Sequence, residues 1–277
     1  MKYRIMIVFP KAKINLGLLI TGKRHDGYHN IETVFYPVGL CDALEFVVAP
    51  DPILKDTLTV TGISAGVEPE ENIIMKTVLK MHEKYSFPRL KIHLHKAIPH
   101  GAGLGGGSSD AACMLKTINR YFGLLIDEQN LKSMALDIGS DCPFFIDGNP
   151  AFASGRGEIL NSINPVLTGY YLLLFHPGVG ISTREAYQNC LPEIPPSSLF
   201  NLVERDIKEW RDLIINDFEG FAFKIYPLIG EIKKELYRHG ALFSSMSGSG
   251  SSVYGIYSEK PKTDNKFKDL VIYEGVI

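Results

Sequence analysis

Three groups of residues have types and spacings suited to phosphoryl transfer. The run PHGAGLGGGSSD, from Pro99 to Asp110, packs five glycines ahead of two hydroxyl side chains and a predicted helix. Glycines let main-chain N–H groups approach an anion closely, and a helix start adds unpaired N–H groups and a positive dipole end. Ser108 and Ser109 are placed to cap that helix and to offer hydroxyls to phosphate or Mg²⁺. The alternative is a flexible loop closed by a serine-capped helix. Lys13 and Asn15 alternate along KAKINLGLLI, so on a strand both point to one face, with Lys11. An ammonium there would neutralise charge on a phosphoryl group; an ordinary amphipathic strand gives the same pattern. Asp141, in GSDCPFF, is either a carboxylate aimed at an attacking hydroxyl or an N-cap ahead of Pro143.

Two other glycine patterns compete. Gly101, Gly103 and Gly106 spell the dinucleotide fingerprint, and Asp127 stands near the place of its ribose-binding acid. No βαβαβ series surrounds them, so the phosphate loop of a kinase is preferred. Gly17 to Arg24 has the spacing of a P-loop, but Arg24 replaces the Mg²⁺-binding hydroxyl and Leu18 to Ile20 read as a strand.

The elements that must position these groups follow from periodicity. Strands are expected over 3–9, 13–20, 44–48, 58–61 and 90–95. A helix starts behind Asn72 with Ile74, Val78, Met81 and Tyr85 on one face. After the glycine loop a helix is expected from about Ser109 to Phe122, and another from Asp127 to Ile138. A strand pattern around 151–159 precedes a polar stretch, Asn161 to Gly169, where the domain boundary is placed. Beyond it come a strand at 170–175, a helix from Pro227 to His239 ended by Gly240, and a strand at 253–257. His93 and His95 alternate on a strand without a visible third metal ligand and read as ordinary strand residues. This mixture, without strict βαβ alternation, is an α+β architecture in two domains, 1–165 and 166–277.

Composition narrows the partners. The chain of 277 residues carries 29 Lys plus Arg against 31 Asp plus Glu, and this near balance excludes the basic excess of a nucleic-acid binder. The four cysteines form no CxxC pair, which fits a reducing cytoplasm and offers no zinc site. No apolar run reaches the length of a membrane span, so neither nucleic acid nor membrane is expected as a partner.

Taken together and in order, PKAKINLGLLITGKRHDGYHNIETVFYPVGLCD, PHGAGLGGGSSDAA, DIGSDCPFF, ASGRGEIL, HPGVGIST and SMSGSGSSVYG resemble the 4-diphosphocytidyl-2-C-methyl-D-erythritol kinases. These belong to the galactokinase, homoserine, mevalonate and phosphomevalonate kinase superfamily. The resemblance spans nearly the whole chain. It implies that ATP phosphorylates the 2-hydroxyl of the methylerythritol part of a cytidine diphosphate substrate, a step of the non-mevalonate route to isoprenoids. It implies an N-terminal domain like domain 2 of ribosomal protein S5, a ferredoxin-like C-terminal domain and an active site in the cleft between them.

On this resemblance Lys13 matches the catalytic lysine and Asp141 the catalytic aspartate. Pro99, His100, Gly101, Ala102, Gly103, Leu104, Gly105, Gly106, Gly107, Ser108 and Ser109 match the ATP loop, and Lys96 a nearby basic position. Asn15 matches a polar neighbour in the substrate pocket. Tyr28 and His29 match the pair that holds cytosine, with Thr183 and Tyr187 on the far wall. Ser247 to Ser251 match a third glycine motif that braces the loop. Ala102 stands where some relatives carry glycine, and Asp110 where some carry asparagine. The Mg²⁺ ligands stay open. Two other readings remain, a related small-alcohol kinase acting on homoserine or mevalonate and a non-catalytic sensor on the same fold.

Overall fold

The computed structural model describes residues 5–50, 55–64, 66–261 and 266–277. Contacts group the chain into two compact units that interleave in sequence. One comprises residues 1–12, 40–100 and 105–148, the other 13–39, 101–104 and 149–277.

The first unit is built on a four-stranded sheet. Met6–Val8 pairs antiparallel with Ala43–Val48, which pairs antiparallel with Leu90–Lys96; Thr57–Gly62 joins that strand in parallel. Of the expected strand 3–9, residues 3 and 4 lie outside the described residues. Along Leu90–Lys96 burial alternates, so Leu90, Ile92, Leu94 and Lys96 face the core. The outward His93 and His95 both hydrogen-bond to Thr61, and His93 also to Glu45.

The helices of this unit begin as their caps dictate. Asn72 Oδ1 accepts the N–H of Ile74 at 3.0 Å and opens the helix Ile73–Lys84, whose Ile74, Val78 and Met81 are fully buried. Asp127 caps Glu128–Leu136 by accepting the N–H of Asn130, a local role in place of the ribose-binding one. The helix after the glycine loop runs Gly106–Phe122, three residues longer at its start than periodicity predicts. Its N-cap is Gly105 in the left-handed region (φ 69°), and no side chain caps it. The expected serine cap is therefore corrected: glycine turns the chain into the helix early and leaves Ser108 and Ser109 inside the first turn.

The second unit holds two antiparallel four-stranded sheets. In one, the order is Lys11–Lys23, His29–Cys41, Ala151–Ser154 and Ile159–Ser162, with residues 13–39 of the long strands in this unit. The single strand expected around 151–159 is two strands, because the backbone of Gly155 and Gly157 (φ 69° and 108°) turns between them. In the other sheet the order is Phe243–Met246, Val253–Tyr257, Tyr171–Phe175 and Val271–Val276. The helix Pro227–Arg238 lays Ile229, Ile232 and Leu236 into a core with Phe175, Met246, Val253 and Tyr257. All four cysteines are free. No helix among the described residues is long and apolar enough to cross a membrane.

Replacing Asn72 by Ala removes the cap and should lower the unfolding free energy by about 1 kcal/mol. Urea denaturation checks this; an unchanged midpoint would show that the cap is dispensable.

Candidate active site

Strand period places Lys13 and Asn15 side by side in the second unit. Lys13 Nζ donates to Asn15 Oδ1 at 2.5 Å and to the carbonyl oxygen of Gly103 at 3.0 Å, and it lies 5.1 Å from the centre of the Phe35 ring. The ammonium is only 4% exposed. Burying a charge is costly unless polar partners surround it, and these acceptors are the ones this unit supplies. Asn15 is itself fixed: its Nδ2 donates to Thr33 Oγ1 at 2.8 Å, and Thr33 donates on to the Gly17 carbonyl at 2.6 Å. Tyr254 donates from its hydroxyl to the Asn15 carbonyl. Lys11, on the same strand face, is exposed.

The glycine loop meets the third glycine motif in this unit. Ser247 Oγ donates to the Gly103 carbonyl at 2.8 Å and accepts the Asn15 N–H at 3.2 Å. The backbones approach so closely that a Cβ on Gly103 would overlap the Ser247 carbonyl oxygen. Gly101 and Gly103 both have left-handed backbone (φ 63° and 77°), whereas Ala102 does not and is buried. Alanine at 102 thus fits without strain. The Ser247–Ser251 segment is no loose connection: Ser247 and Ser251 are fully buried, and Asn216 Nδ2 holds the carbonyls of Met246 and Gly248.

In the first unit the remainder of the loop becomes the start of a 17-residue helix. Leading amides and the positive dipole end of such a helix are groups that suit an anion. A Cβ on Gly106 would sit 2.8 Å from Ile98 Cγ2 and 3.2 Å from Lys96 Nζ, so only glycine fits there. Lys96 is 6% exposed and paired with Asp42 and Asp110. Asp141 occupies the N-cap position of Cys142–Asp147, with Pro143 in the first turn, yet its carboxylate makes no capping bond. The thiol of Cys142, pushed up to about 11 by burial, hydrogen-bonds with Ser108.

The residues expected to hold a base all fall in the second unit, where His29 meets Tyr187. The rings of His29 and Tyr187 stack at 4.9 Å with planes 18° apart, and Tyr187 meets Phe218 edge-on. Burial and the nearby Lys23 charge hold His29 below the usual histidine range, so the ring is neutral at neutral pH. Tyr28 is 57% exposed and carries the Arg156 guanidinium 4.9 Å from its ring centre. Thr183 opens the helix Thr183–Gln188 and shares a hydrogen bond with Ser249.

Sequence reading did not find Thr33, Asn216, Asp42 or Arg156. Each acts through a partner distant in sequence; Thr33, Asp42 and Arg156 lie inside the quoted segments and Asn216 lies outside them.

The family model for the GHMP kinases N terminal domain matches residues 72–149, and that for the GHMP kinases C terminal matches residues 199–269. They set the class: a GHMP kinase. The 4-diphosphocytidyl-2-C-methyl-D-erythritol kinase of Bacteroides thetaiotaomicron is 50% identical over 262 residues, which covers 94% of this chain and 96% of that one. Its counterpart in Parabacteroides distasonis is 48% identical over 98% of this chain and 99% of its own. A crystal structure of a 4-(cytidine 5'-diphospho)-2C-methyl-D-erythritol kinase superposes with a TM-score of 0.73 at 31% identity, covering 91% of this chain and 90% of that one. The homoserine kinase of Cytophaga hutchinsonii, with a TM-score of 0.66 at 18% identity over 92% of this chain and 86% of its own, shares the fold. Within the GHMP kinases, the chain belongs to the family of 4-diphosphocytidyl-2-C-methyl-D-erythritol kinases.

Two glycines of the loop should respond differently to alanine. Gly101→Ala adds a Cβ in open space and should cost about 1 kcal/mol for its left-handed backbone. Gly103→Ala adds a collision with fixed backbone and should cost about 3 kcal/mol or more. Denaturant midpoints compare them, and equal losses would contradict the close approach to Ser247.

Proposed function

We propose that this chain transfers the γ-phosphoryl group of ATP to the 2-hydroxyl of 4-diphosphocytidyl-2-C-methyl-D-erythritol, the reaction that gives its relatives their name. The observation that carries the reading is a buried ammonium, Lys13, fixed by Asn15 and by a carbonyl of the glycine loop itself. Phosphoryl transfer asks for charge neutralisation and in-line positioning more than for covalent help. The helix start at Gly106 and the loop Pro99–Ser109 bind the ATP phosphates, with Lys96 supporting them from beneath. Lys13 neutralises charge on the group in transit. Asp141 orients the substrate hydroxyl and takes its proton as the new O–P bond forms and the bond from the γ-phosphorus to the bridging oxygen breaks, releasing ADP.

The other roles follow the same placement. Asn15 sets the direction of Lys13 on the substrate side. Tyr28, His29, Thr183 and Tyr187 hold the cytosine, where one stacked aromatic ring is worth about 1–3 kcal/mol. A neutral His29 suits hydrogen bonding to an uncharged base. These aromatic groups favour a nucleotide-bearing substrate over homoserine or mevalonate, which have no base to stack.

Mg²⁺ fits as a companion of ATP. Among the described residues no three His, Cys, Asp or Glu side chains cluster as a metal cage. Mg²⁺ with nucleotides takes most ligands from phosphate and water, and a hydroxyl of Ser108 or Ser109 in the first helical turn would be the protein's contribution. When bound, it screens charge on the phosphate oxygens.

We assign the ATP-binding and catalytic domain to 1–165, with an S5 domain 2-like fold, and a ferredoxin-like domain to 166–277. The two family models fall on either side of that boundary. Strand order supports the second name. Val253–Tyr257 lies antiparallel between Tyr171–Phe175 and Phe243–Met246, the split arrangement of ferredoxin-like sheets. Four free thiols agree with a cytoplasmic enzyme.

Lys13→Ala and Asp141→Asn should each lower kcat by about 10²–10⁴-fold while circular dichroism stays that of the folded protein. Undiminished turnover in Asp141→Asn would remove that residue from the mechanism.

A further inference from the structure

Tyr28 ends a tight turn whose backbone is held from both sides. Asp26 Oδ1 accepts the Tyr28 N–H at 3.1 Å, and the Tyr28 carbonyl accepts the Arg24 N–H at 2.8 Å. Gly27 closes the turn with left-handed backbone (φ 83°). Asp26 also accepts from Arg24 Nε at 3.0 Å. The Tyr28 N–H, with the charges of Arg24 and Arg156, holds the Asp26 carboxyl below the usual carboxylate range. The main chain of Tyr28 is thus fixed while the residue stays 57% exposed. An exposed ring changes rotamer within picoseconds to nanoseconds. A ligand that stacks on such a ring must immobilise it, and that ordering weakens binding.

The hairpin between Ala151–Ser154 and Ile159–Ser162 restricts that freedom. The Gly155 carbonyl in its turn accepts the Ile31 N–H at 2.8 Å, which ties the turn to the strand that begins at His29. Arg156, the next residue, lays its guanidinium 4.9 Å from the centre of the Tyr28 ring. Glu158 holds Arg156 in turn. Its Oε2 accepts the Arg156 N–H at 2.5 Å, and its Oε1 lies 3.7 Å from Arg156 Nε. A Cβ on Gly155 would stand 2.9 Å from Glu158 Oε2, so the carboxylate folds back over the turn. The Arg156 and Glu158 side chains are only 33% and 19% exposed. All of these residues belong to the second unit.

A guanidinium suits this task. It is planar, weakly hydrated for a cation and attracted to the negative face of an aromatic ring. A more mobile group would leave the ring as free as before, but Arg156 is anchored at its main chain and its side chain by one carboxylate. With the guanidinium against one face, the exposure of Tyr28 falls on the other face and the ring edge. A planar base needs one such face to stack on.

We propose that Arg156 is a positioning residue for the substrate's pyrimidine: anchored by Glu158, its guanidinium holds the Tyr28 ring in one orientation and leaves the opposite face for the base. The inference rests on the reading of Tyr28 as a cytosine contact. Arg156 acts without touching the base, by ordering the ring before the ligand arrives. A pyrimidine nucleoside therefore gains from it with or without phosphates. A guanidinium donating directly to the diphosphate would instead favour the phosphorylated ligand alone.

Titration of the full chain with cytidine and, separately, with cytidine 5'-diphosphate tests this, with magnetic resonance of the protein as the readout. Arg156→Ala should weaken both ligands by the same factor, about 3–10-fold. Affinity for a non-hydrolysable ATP analogue with Mg²⁺ should stay within about twofold. In steady state the KM for the cytidine diphosphate substrate should rise by the factor seen for cytidine while kcat holds, the mark of binding lost equally from ground and transition states. In a Tyr28→Leu background, Arg156→Ala should weaken cytidine no further. Arg156→Gln, which keeps a polar stem in the hairpin, should repeat the pattern, and it decides if the alanine variant does not fold. Weaker binding of cytidine 5'-diphosphate alone would make Arg156 a phosphate ligand and overturn the inference, as would an undiminished effect in the Tyr28→Leu background. Binding of both ligands that Arg156→Ala leaves unchanged removes this inference and leaves the reading of the base site standing; no binding of either ligand to the unmodified protein removes both.

Discussion

The carbonyl oxygen of Gly103 is the point on which the second unit turns. It accepts from Lys13 Nζ and from Ser247 Oγ. Residues from the strand Lys11–Lys23 and the C-terminal glycine motif are thereby fixed within bonding distance of one atom of the glycine loop. Only glycine permits it, since a side chain at 103 would occupy the space of the Ser247 backbone. The surrounding bonds serve the same end: Asn216 holds the Met246 and Gly248 carbonyls, Tyr254 holds the Asn15 carbonyl, and Thr33 holds the Asn15 amide. An ammonium kept this still is pre-organised, which is the main contribution a protein makes to moving a phosphoryl group.

The first unit meets a related demand by other means. Its lysine, Lys96, is buried by strand register and answered by two carboxylates, whereas Lys13 is held within its unit by an amide oxygen and a carbonyl. Lys96 sits against the start of the helix, whose first amides have no carbonyl one turn back within the helix to donate to. The loop thus belongs to both units, with Gly101–Leu104 in one and Gly105 onward in the other.

Much of this was legible in the residues. Period-two alternation placed Lys13 beside Asn15, and the bond between them bears that out. Asn72 announced its helix, and Pro227 with Gly240 bracketed another. The loop helix was expected to start at Ser109 because serine is the commoner cap; a left-handed Gly105 does that work earlier. The strand around 151–159 looked continuous because two glycines in GRG do not disclose that both take positive φ. The long strand His29–Cys41 was hidden inside a segment read as a binding motif. What could not be read were contacts between distant positions, such as Ser247 with Gly103 and Asp42 with Lys96, because no local pattern encodes them. Lys96, matched only as a basic position near the loop, faces inward because of the register of its strand.

The central claim is that a lysine-anchored glycine loop passes a phosphoryl group from ATP to an alcohol on a cytidine diphosphate compound. Phosphorus magnetic resonance of the protein with Mg-ATP and 4-diphosphocytidyl-2-C-methyl-D-erythritol tests it most directly. The account predicts a new phosphomonoester signal growing in step with ADP while the substrate diphosphate signals persist. Release of inorganic phosphate without a phosphomonoester, or no change in either compound, would contradict it.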